Sequence, residues 1–420
     1  MRTTAPQPAG SGDEQADGLV RPRRILPVIV AAQFAGTSLW FAGNAVLGDL
    51  QGAYGLPATA LGPLTSAVQI GFIAGTLAYA VATIADRFSP SRVFLLSALA
   101  GAVVNLGVGT VATDYAWILA FRFLTGFFLA GIYPVGMKLA ADWFEAGLGR
   151  ALGWLVGALV LGTAFPHLLA AGTADLPWQT VVVGTSALAA LGGVAVWALV
   201  PDGPYRSASR GFRPGAIAAV FRVAAFRSAA LGYFGHMWEL YAMWAWIGSF
   251  LLASFERSGV VGAQRWAALA AFAVIAIGAL GAVLAGARAD RAGRSRTAAA
   301  ALGWSGASAV AIGLTFGRSP WLVLAVGLIW GVSVIADSAL FSTIVTDVAD
   351  QRYVGTAVTL QLALGFVLTV ATIWIVPLLV AAVGWSWAFL VLVPGPVLGI
   401  AALRALERDE ARPAPASLGT

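Results

Sequence analysis

The chain has 420 residues and a mass of 43.1 kDa, with 59% hydrophobic and 10% charged residues. Soluble domains carry roughly a quarter charged residues, so together with a mean hydropathy of +0.84 this composition excludes a soluble globular protein and puts the chain in a lipid bilayer. The 25 Lys and Arg against 19 Asp and Glu leave a net charge of +6; they gather in short gaps between apolar runs, and so mark membrane topology and give no reason to expect nucleic acid as a partner.

The absence of cysteine excludes disulfides, iron–sulfur clusters and thiolate zinc sites. Two histidines in the whole chain argue against a histidine metal centre, and no cofactor is expected. Residues 1–24 are rich in Pro, Gly, Ala and acidic residues and end in Arg21, Arg23 and Arg24, which reads as a disordered cytoplasmic tail. No cleavage-like segment precedes the apolar run from Ile25, so that run is expected to remain as a helix.

Runs of about 20 apolar residues, the length that crosses a hydrocarbon core, predict twelve spans. They are 25–49, 59–84, 93–111, 115–140, 147–172 and 177–200 in the first half, and 227–254, 262–287, 297–316, 320–347, 354–383 and 386–406 in the second. The chain therefore reads as an all-α integral membrane protein: a six-helix bundle over 25–200, a cytoplasmic linker over 201–226 holding Pro201, Pro204, Pro214 and four arginines, a second bundle over 227–406, and a cytoplasmic tail over 407–420. With the first tail inside, 21 of the 25 Lys and Arg fall in cytoplasmic segments, Arg257, Arg265 and Arg318 lie opposite, and Arg122 lies within a span. That asymmetry puts both termini in the cytoplasm. The abundance of Arg and Ala suggests a bacterial source and an inner (plasma) membrane.

Two hydrophilic gaps resemble each other: Ala85-Asp86-Arg87-Phe88-Ser89-Pro90-Ser91-Arg92 after span 2 and Ala289-Asp290-Arg291-Ala292-Gly293-Arg294-Ser295-Arg296 after span 8. Their aspartates are 204 positions apart, near half the chain, as expected for two related six-helix halves. On these residues the chain resembles the major facilitator superfamily over about 25–406. The family's loop motif is matched well by Gly286, Asp290, Arg291, Gly293 and Arg294, while the first copy has Ala82 and Ser89-Pro90 at the Gly and Gly-Arg positions and keeps Asp86, Arg87 and Arg92. An Asp with arginines on a short loop can bond to helix ends and latch a gate; the same arginines would also serve simply to orient the loops.

Span 4 carries Arg122, Gly126 and Gly131, resembling the family's Arg-x-x-x-Gly pattern. An arginine that deep in an apolar run needs a protein partner or a water-filled cavity, so both substrate contact and bonding to a neighbouring helix's carbonyls stand open. Span 5 has Gly153, Gly157 and Gly162 at a spacing suited to close helix approach, but it lacks the Gly-Pro pair and following Gly-Gly usual in the family's antiporter branch.

Glu239 and His236 on span 7 and Asp337 on span 10 are the remaining ionisable residues deep in spans, with His167 nearer the outer end of span 5. The resemblance implies that helices 1, 4, 7 and 10 line a central cavity. Buried acids of this kind suit proton carriage, with Glu239 as carrier, His236 tuning it and Asp337 as a second titratable or substrate-contacting group; a static polar cluster joining the two spans is the other reading. In the first half Gln33, Thr37, Trp40 and Asn44 form a helical stripe, joined by Gln69, Arg122 and Tyr133.

These positions, with Trp246 and Trp330, are the candidate substrate contacts. Trp117, Trp143, Trp178, Trp321 and Trp385 fall at span ends, where tryptophan anchors to the interface. No phosphate-binding glycine motif or nucleophile constellation occurs, which argues against an ATP-driven pump or an enzyme. The expected function is transport of a small polar or anionic solute by a monomer, with protons coupled as symport and efflux of an amphipathic compound as the alternative. A channel or a transporter-like sensor would lack uphill flux.

Overall fold

The computed structural model of the chain describes residues 22–57, 59–145, 147–206, 214–350 and 352–410. The expected disordered segment over most of 1–24, Gly and arginine positions of the linker over 207–213, and the end of the tail over 411–420 lie outside them. The described residues are helical, without strands, and build all twelve crossings. Ten helices are by themselves long and apolar enough to cross a membrane. Of the other two crossings, the first is broken into Ile25–Thr37, Ala42–Ala45 and Leu47–Tyr54, and the seventh is one continuous helix, Ala224–Arg257. The latter is long enough but diluted by His236, Glu239 and several Tyr and Trp side chains.

Most boundaries fall near the expected ones, with three corrections. Span 7 begins three residues early, and the linker contains a short helix, Ile217–Arg222. The last helix, Pro394–Glu410, runs into the expected tail. Breaks inside spans have local causes. In span 1 the Thr37 hydroxyl donates to Gln33 O (2.8 Å) and the Ser38 hydroxyl to Ala35 O (2.7 Å), back-bonding that bends helices; the chain then leaves helical geometry until Ala42. In Tyr115–Trp143 (span 4) the interruption between Leu129 and Tyr133 precedes Pro134, which has no N–H to give the carbonyl four residues back, at Ala130, and whose ring clashes with it. Pro320–Val348 (span 10) breaks at Asp337, between Ala336 and Ser338.

Within each half, two spans pack backbone to backbone through glycine. A Cβ at Gly126 of span 4 would lie 2.8 Å from the Val68 carbonyl carbon of span 2, and one at Gly75 would lie 3.0 Å from that of Phe127. In the second half a Cβ at Gly331 of span 10 would lie 2.9 Å from the Val274 carbonyl carbon of span 8, and one at Gly281 also 2.9 Å from that of Val332. Each residue of the first set (68, 75, 126, 127) has its counterpart (274, 281, 331, 332) 205 or 206 positions on, close to the spacing of the loop motifs. The same close packing is thus built twice, once in each of two pseudo-symmetric bundles.

Span 5 divides differently: Gly162 lies hard against Thr37 and Phe34 of span 1, while among the described residues a Cβ at Gly157 would reach only Ala279 at 3.9 Å and one at Gly153 nothing within 4 Å. The expectation of close approach holds for Gly162 and fails for Gly153.

The halves meet in an aromatic layer. Trp40 packs on Phe72 (ring centroids 4.8 Å), Tyr241 (5.7 Å) and Phe366 (6.0 Å); Phe72 and Phe366 are 4.7 Å apart, and Phe41 meets Trp244 edge to face at 6.2 Å. Trp40 and Phe41 belong to the broken segment of span 1, so the interruption presents these rings to the opposite half.

Candidate functional site

The three ionisable side chains expected in the second half are all about 1% exposed and pair across spans 7 and 10. Glu239 Oε1 accepts from Trp330 Nε1 at 2.6 Å, and His236 Nδ1 lies 2.8 Å from Asp337 Oδ1. Helical spacing grouped His236 with Glu239; in the structure each turns to its own partner on span 10, and His236 pairs with Asp337. Asp337 sits where span 10 breaks, and its Oδ2, like His236 Nε2, has no hydrogen-bond partner among the described residues. The buried Ser305 hydroxyl of span 9 faces Glu239 but forms no bond of normal geometry. An imidazole–carboxylate pair and a lone carboxyl group in apolar surroundings can hold and release protons, because burial makes the charged forms costly unless paired.

Arg122 is 1% exposed; both terminal nitrogens of its guanidinium are spent on protein, while Nε has no hydrogen-bond partner among the described residues. Nη1 donates to Leu39 O (3.1 Å) and to Asn105 Oδ1 (3.1 Å), and Nη2 donates to Trp40 O. It closes off the carbonyls freed where span 1 breaks, as its fork geometry permits. Asn105 in turn donates to Ser186 Oγ (2.9 Å) and Thr185 Oγ1 (3.3 Å), so spans 1, 3, 4 and 6 are tied together.

Gln33 is fully buried with no hydrogen-bond partner for either amide atom among the described residues, its Oε1 lying against Gly136. Tyr133 packs half-buried on the core at the start of the second helix of span 4. Trp40 Nε1 donates to Gln69 Oε1 (3.2 Å), Asn44 Nδ2 to Thr65 Oγ1 (2.8 Å) and Trp246 Nε1 to Ile373 O (3.0 Å).

A cavity of about 690 Å³ opens between the halves on the face opposite the termini. Of the expected substrate contacts only Asn44 and Trp246 line it. Arg122, Gln33, Trp40, Tyr133 and Trp330 do not: Arg122 is engaged by backbone, Trp40 belongs to the aromatic layer, Trp330 is held by Glu239, and along spans 1 and 7 the layer separates the cavity from Gln33, His236 and Glu239. Trp178 and Trp385, expected as interface anchors, are cavity walls, and His167 lines it too. Trp117 and Trp321 are exposed at span ends as expected.

Among the described residues, each loop motif has an ion pair within its own half. Asp86 pairs with Lys138 Nζ (3.1 Å), which also reaches Asp142 (3.6 Å). The linker straps over this loop: Arg206 Nη2 donates to Phe88 O (2.7 Å) and Asp86 O (3.1 Å), Arg206 Nη1 to Asp202 Oδ2 (3.0 Å), and Ser89 Oγ to Asp202 Oδ1 (2.7 Å). Thr83, at φ 50°, turns the chain into this loop, a conformation that β-branched residues adopt only under strain.

In the second copy Arg294 pairs with Asp347 at the end of span 10; Arg87, Arg92, Asp290 and Arg291 are exposed and make no ion pair among the described residues. Beyond span 10, the Arg352 hydrogen bonds hold the Asp350 carboxyl down to about 2. Asn105, Lys138, Arg206 and His167 were missing from the expected sites. Asn105, a lone amide in an apolar span, carried a signal; the linker strap carried none.

The sequence model of the family described as Major Facilitator Superfamily matches residues 28–277, more than half of the chain. The niacin transporter NiaP of Acinetobacter baylyi is 36% identical over 111 residues, 24% of this chain and 25% of that protein, so the chain matches only about a quarter of that relative's length. Among solved structures, a bacterial homologue of the human lysosomal transporter Spinster, inward-facing and unoccupied, aligns with a TM-score of 0.70 at 16% identity over 93% of this chain and 98% of that one. A D-xylose–proton symporter aligns at 0.72 and 15% over 91% and 96%, and the nucleoside transporter NupG at 0.69 and 14% over 91% and 99%. Identities this low speak for the fold alone. With the doubled six-helix architecture and the family match over most of the first half and into the second, the chain belongs to the major facilitator superfamily and is a multi-pass membrane transporter, not an enzyme.

Proposed function

We propose that the protein is a proton-coupled symporter that moves a small polar or anionic solute by alternating access across a bacterial inner membrane. It works as a monomer with both termini cytoplasmic, its bundles spanning about 25–200 and 227–406. The observation that carries the coupling is the pairing of Glu239 with Trp330 and of His236 with Asp337 across spans 7 and 10. Glu239 is the proton carrier. The His236–Asp337 pair joins span 7 to the point where span 10 breaks, so a change of its protonation is felt at that break.

Both terminal nitrogens of Arg122 are taken by Leu39 O, Trp40 O and Asn105 Oδ1, which leaves only its Nε for an anionic solute. What supports a small polar solute is Asn44 and the other polar groups around the cavity, together with the stretch similar to a transporter of niacin, a small aromatic acid. Arg122, Gln33, Trp40, Tyr133 and Trp330 would reach solute only in a state in which the aromatic layer has parted. The loops around Asp86, Arg87 and Arg92 and around Asp290, Arg291 and Arg294 act as the cytoplasmic gate. The three-tryptophan wall of the cavity favours a second reading, proton-driven efflux of an amphipathic compound through the same acids.

Purified protein in proteoliposomes, screened by counterflow with and without an imposed pH gradient, tests both. Glu239→Gln is expected to abolish gradient-driven accumulation while solute exchange persists. Accumulation by Glu239→Gln at the wild-type level removes the carrier role, and extrusion along an opposed proton gradient selects efflux.

A further inference from the structure

We propose that the cavity opposite the termini is a binding site for a planar aromatic solute with one hydrogen-bonding head group, and that His167 makes the polar contact. The proposal deepens the transport reading above and rests on it. The walls carry the argument for a flat body. Trp178, Trp246 and Trp385 line the cavity, and Trp385 is itself braced by Trp246 (6.2 Å) and Phe250 (5.7 Å). Indole faces stack on planar π-systems. The charges on the lining, Asp49, Glu256 and Arg265, are exposed, so they meet a solute still in water.

Inside, the imidazole of His167 is 5% exposed and neither ring nitrogen has a hydrogen-bond partner among the described residues. A buried polar ring is normally satisfied. A purely apolar solute would leave it unpaired, and a solute polar all round would set part of its polar surface against the three indoles of the lining. His167 belongs to the first half, and its Cε1 lies where a Cβ on Gly248 of the second half would approach to 3.4 Å. A solute held there therefore touches both halves.

The chain's two histidines, His167 and His236, make the test direct. The full-length protein, labelled with ¹⁵N-histidine in nanodiscs, gives two imidazoles, assigned with His167→Asn or, if that variant misfolds, His167→Gln. Nicotinate or nicotinamide is expected to shift the His167 resonances saturably, D-xylose is not, and either variant should weaken binding of the planar probe tenfold or more, while Gly153→Ala still binds it. If a planar probe exchanges in counterflow but His167 does not move, the site assignment fails and the transporter reading stands. If D-xylose shifts His167 as strongly, or neither planar probe shifts it, the solute class is wrong, whatever the vesicle assay says of Glu239.

Discussion

Replacing Gly126 by alanine tests the packing that holds the first bundle together. The added methyl would sit 2.8 Å from the Val68 carbonyl carbon and 2.9 Å from its Cα, where carbon atoms prefer about 3.5–4.0 Å. Spans 2 and 4 must therefore part by roughly 1 Å, and the atoms in the way are backbone, which cannot rotate aside. Overpacking of this kind costs about 1–3 kcal/mol, against a gain of about 1 kcal/mol in helix propensity from Gly to Ala, so the net effect is a loss of up to about 2 kcal/mol.

Gly331→Ala should lose a similar amount, because its methyl would meet the Val274 carbonyl carbon at 2.9 Å. Gly153→Ala, with nothing within 4 Å, should be neutral or slightly stabilising. Unfolding of the three purified variants in detergent, followed by fluorescence-detected size exclusion after heating, ranks them. If Gly126→Ala survives heating as well as Gly153→Ala, the backbone contact does not limit the packing and the reasoning is wrong.

Arg122→Met leaves the acceptors Leu39 O, Trp40 O and Asn105 Oδ1 without their donor; an orphaned buried acceptor costs about 1–3 kcal/mol, tempered in membranes, where interhelical bonds average about 0.6 kcal/mol. A loss of about 2–5 kcal/mol in a mixed-micelle unfolding titration is expected, with Arg122→Lys in between because it lacks the fork; an unchanged midpoint for Arg122→Met would contradict the role given to the guanidinium. Arg206→Ala should leave global stability unchanged, since exposed ion pairs are worth at most about 1 kcal/mol, yet amide hydrogen exchange at residues 84–89 should quicken several-fold once the linker strap is cut. Equal exchange in both proteins would show that the strap does not order the loop.

The twelve crossings were legible because a bilayer admits only segments that satisfy their own backbone, and long apolar runs announce them. Span 7 departs furthest from that pattern, and the departure is informative: Glu239 and His236 are what dilute it. What the sequence could not show was the partner of each buried group. Periodicity orders the side chains on one helix, so it placed His236 beside Glu239; the choice of Asp337 and Trp330 is made by the neighbouring helix, whose register no single-helix pattern contains. The break in span 1 was hidden for a similar reason. Thr37 and Ser38 fit a helix as readily as they bend one, and only the Arg122 donors waiting across the gap make the bend affordable. Gly153 and Gly162 look alike in sequence and differ only in what faces them.

The two halves repeat their glycine contacts but not their charges, and the structure explains the divergence. Arg122 and Gly327 are 205 positions apart, the same interval that relates Gly126 to Gly331, so the second half carries glycine where the first carries arginine. The span facing each differs accordingly. Span 1 is interrupted between Thr37 and Ala42 and exposes carbonyls that in an apolar medium demand donors, whereas its counterpart, Ala224–Arg257, is unbroken and has none to offer. An arginine at 327 would find no acceptors and would carry an unpaired buried charge; a glycine at 122 would abandon the carbonyls of Leu39 and Trp40. The cation therefore belongs to the half with the broken helix, and the acids to the half whose seventh span is continuous and holds Glu239 and His236 opposite Trp330 and the break at Asp337 in span 10. If span 1 bends at its gap, Trp40 and Phe41 leave Tyr241 and Trp244, and the aromatic layer opens from the side that Arg122 controls.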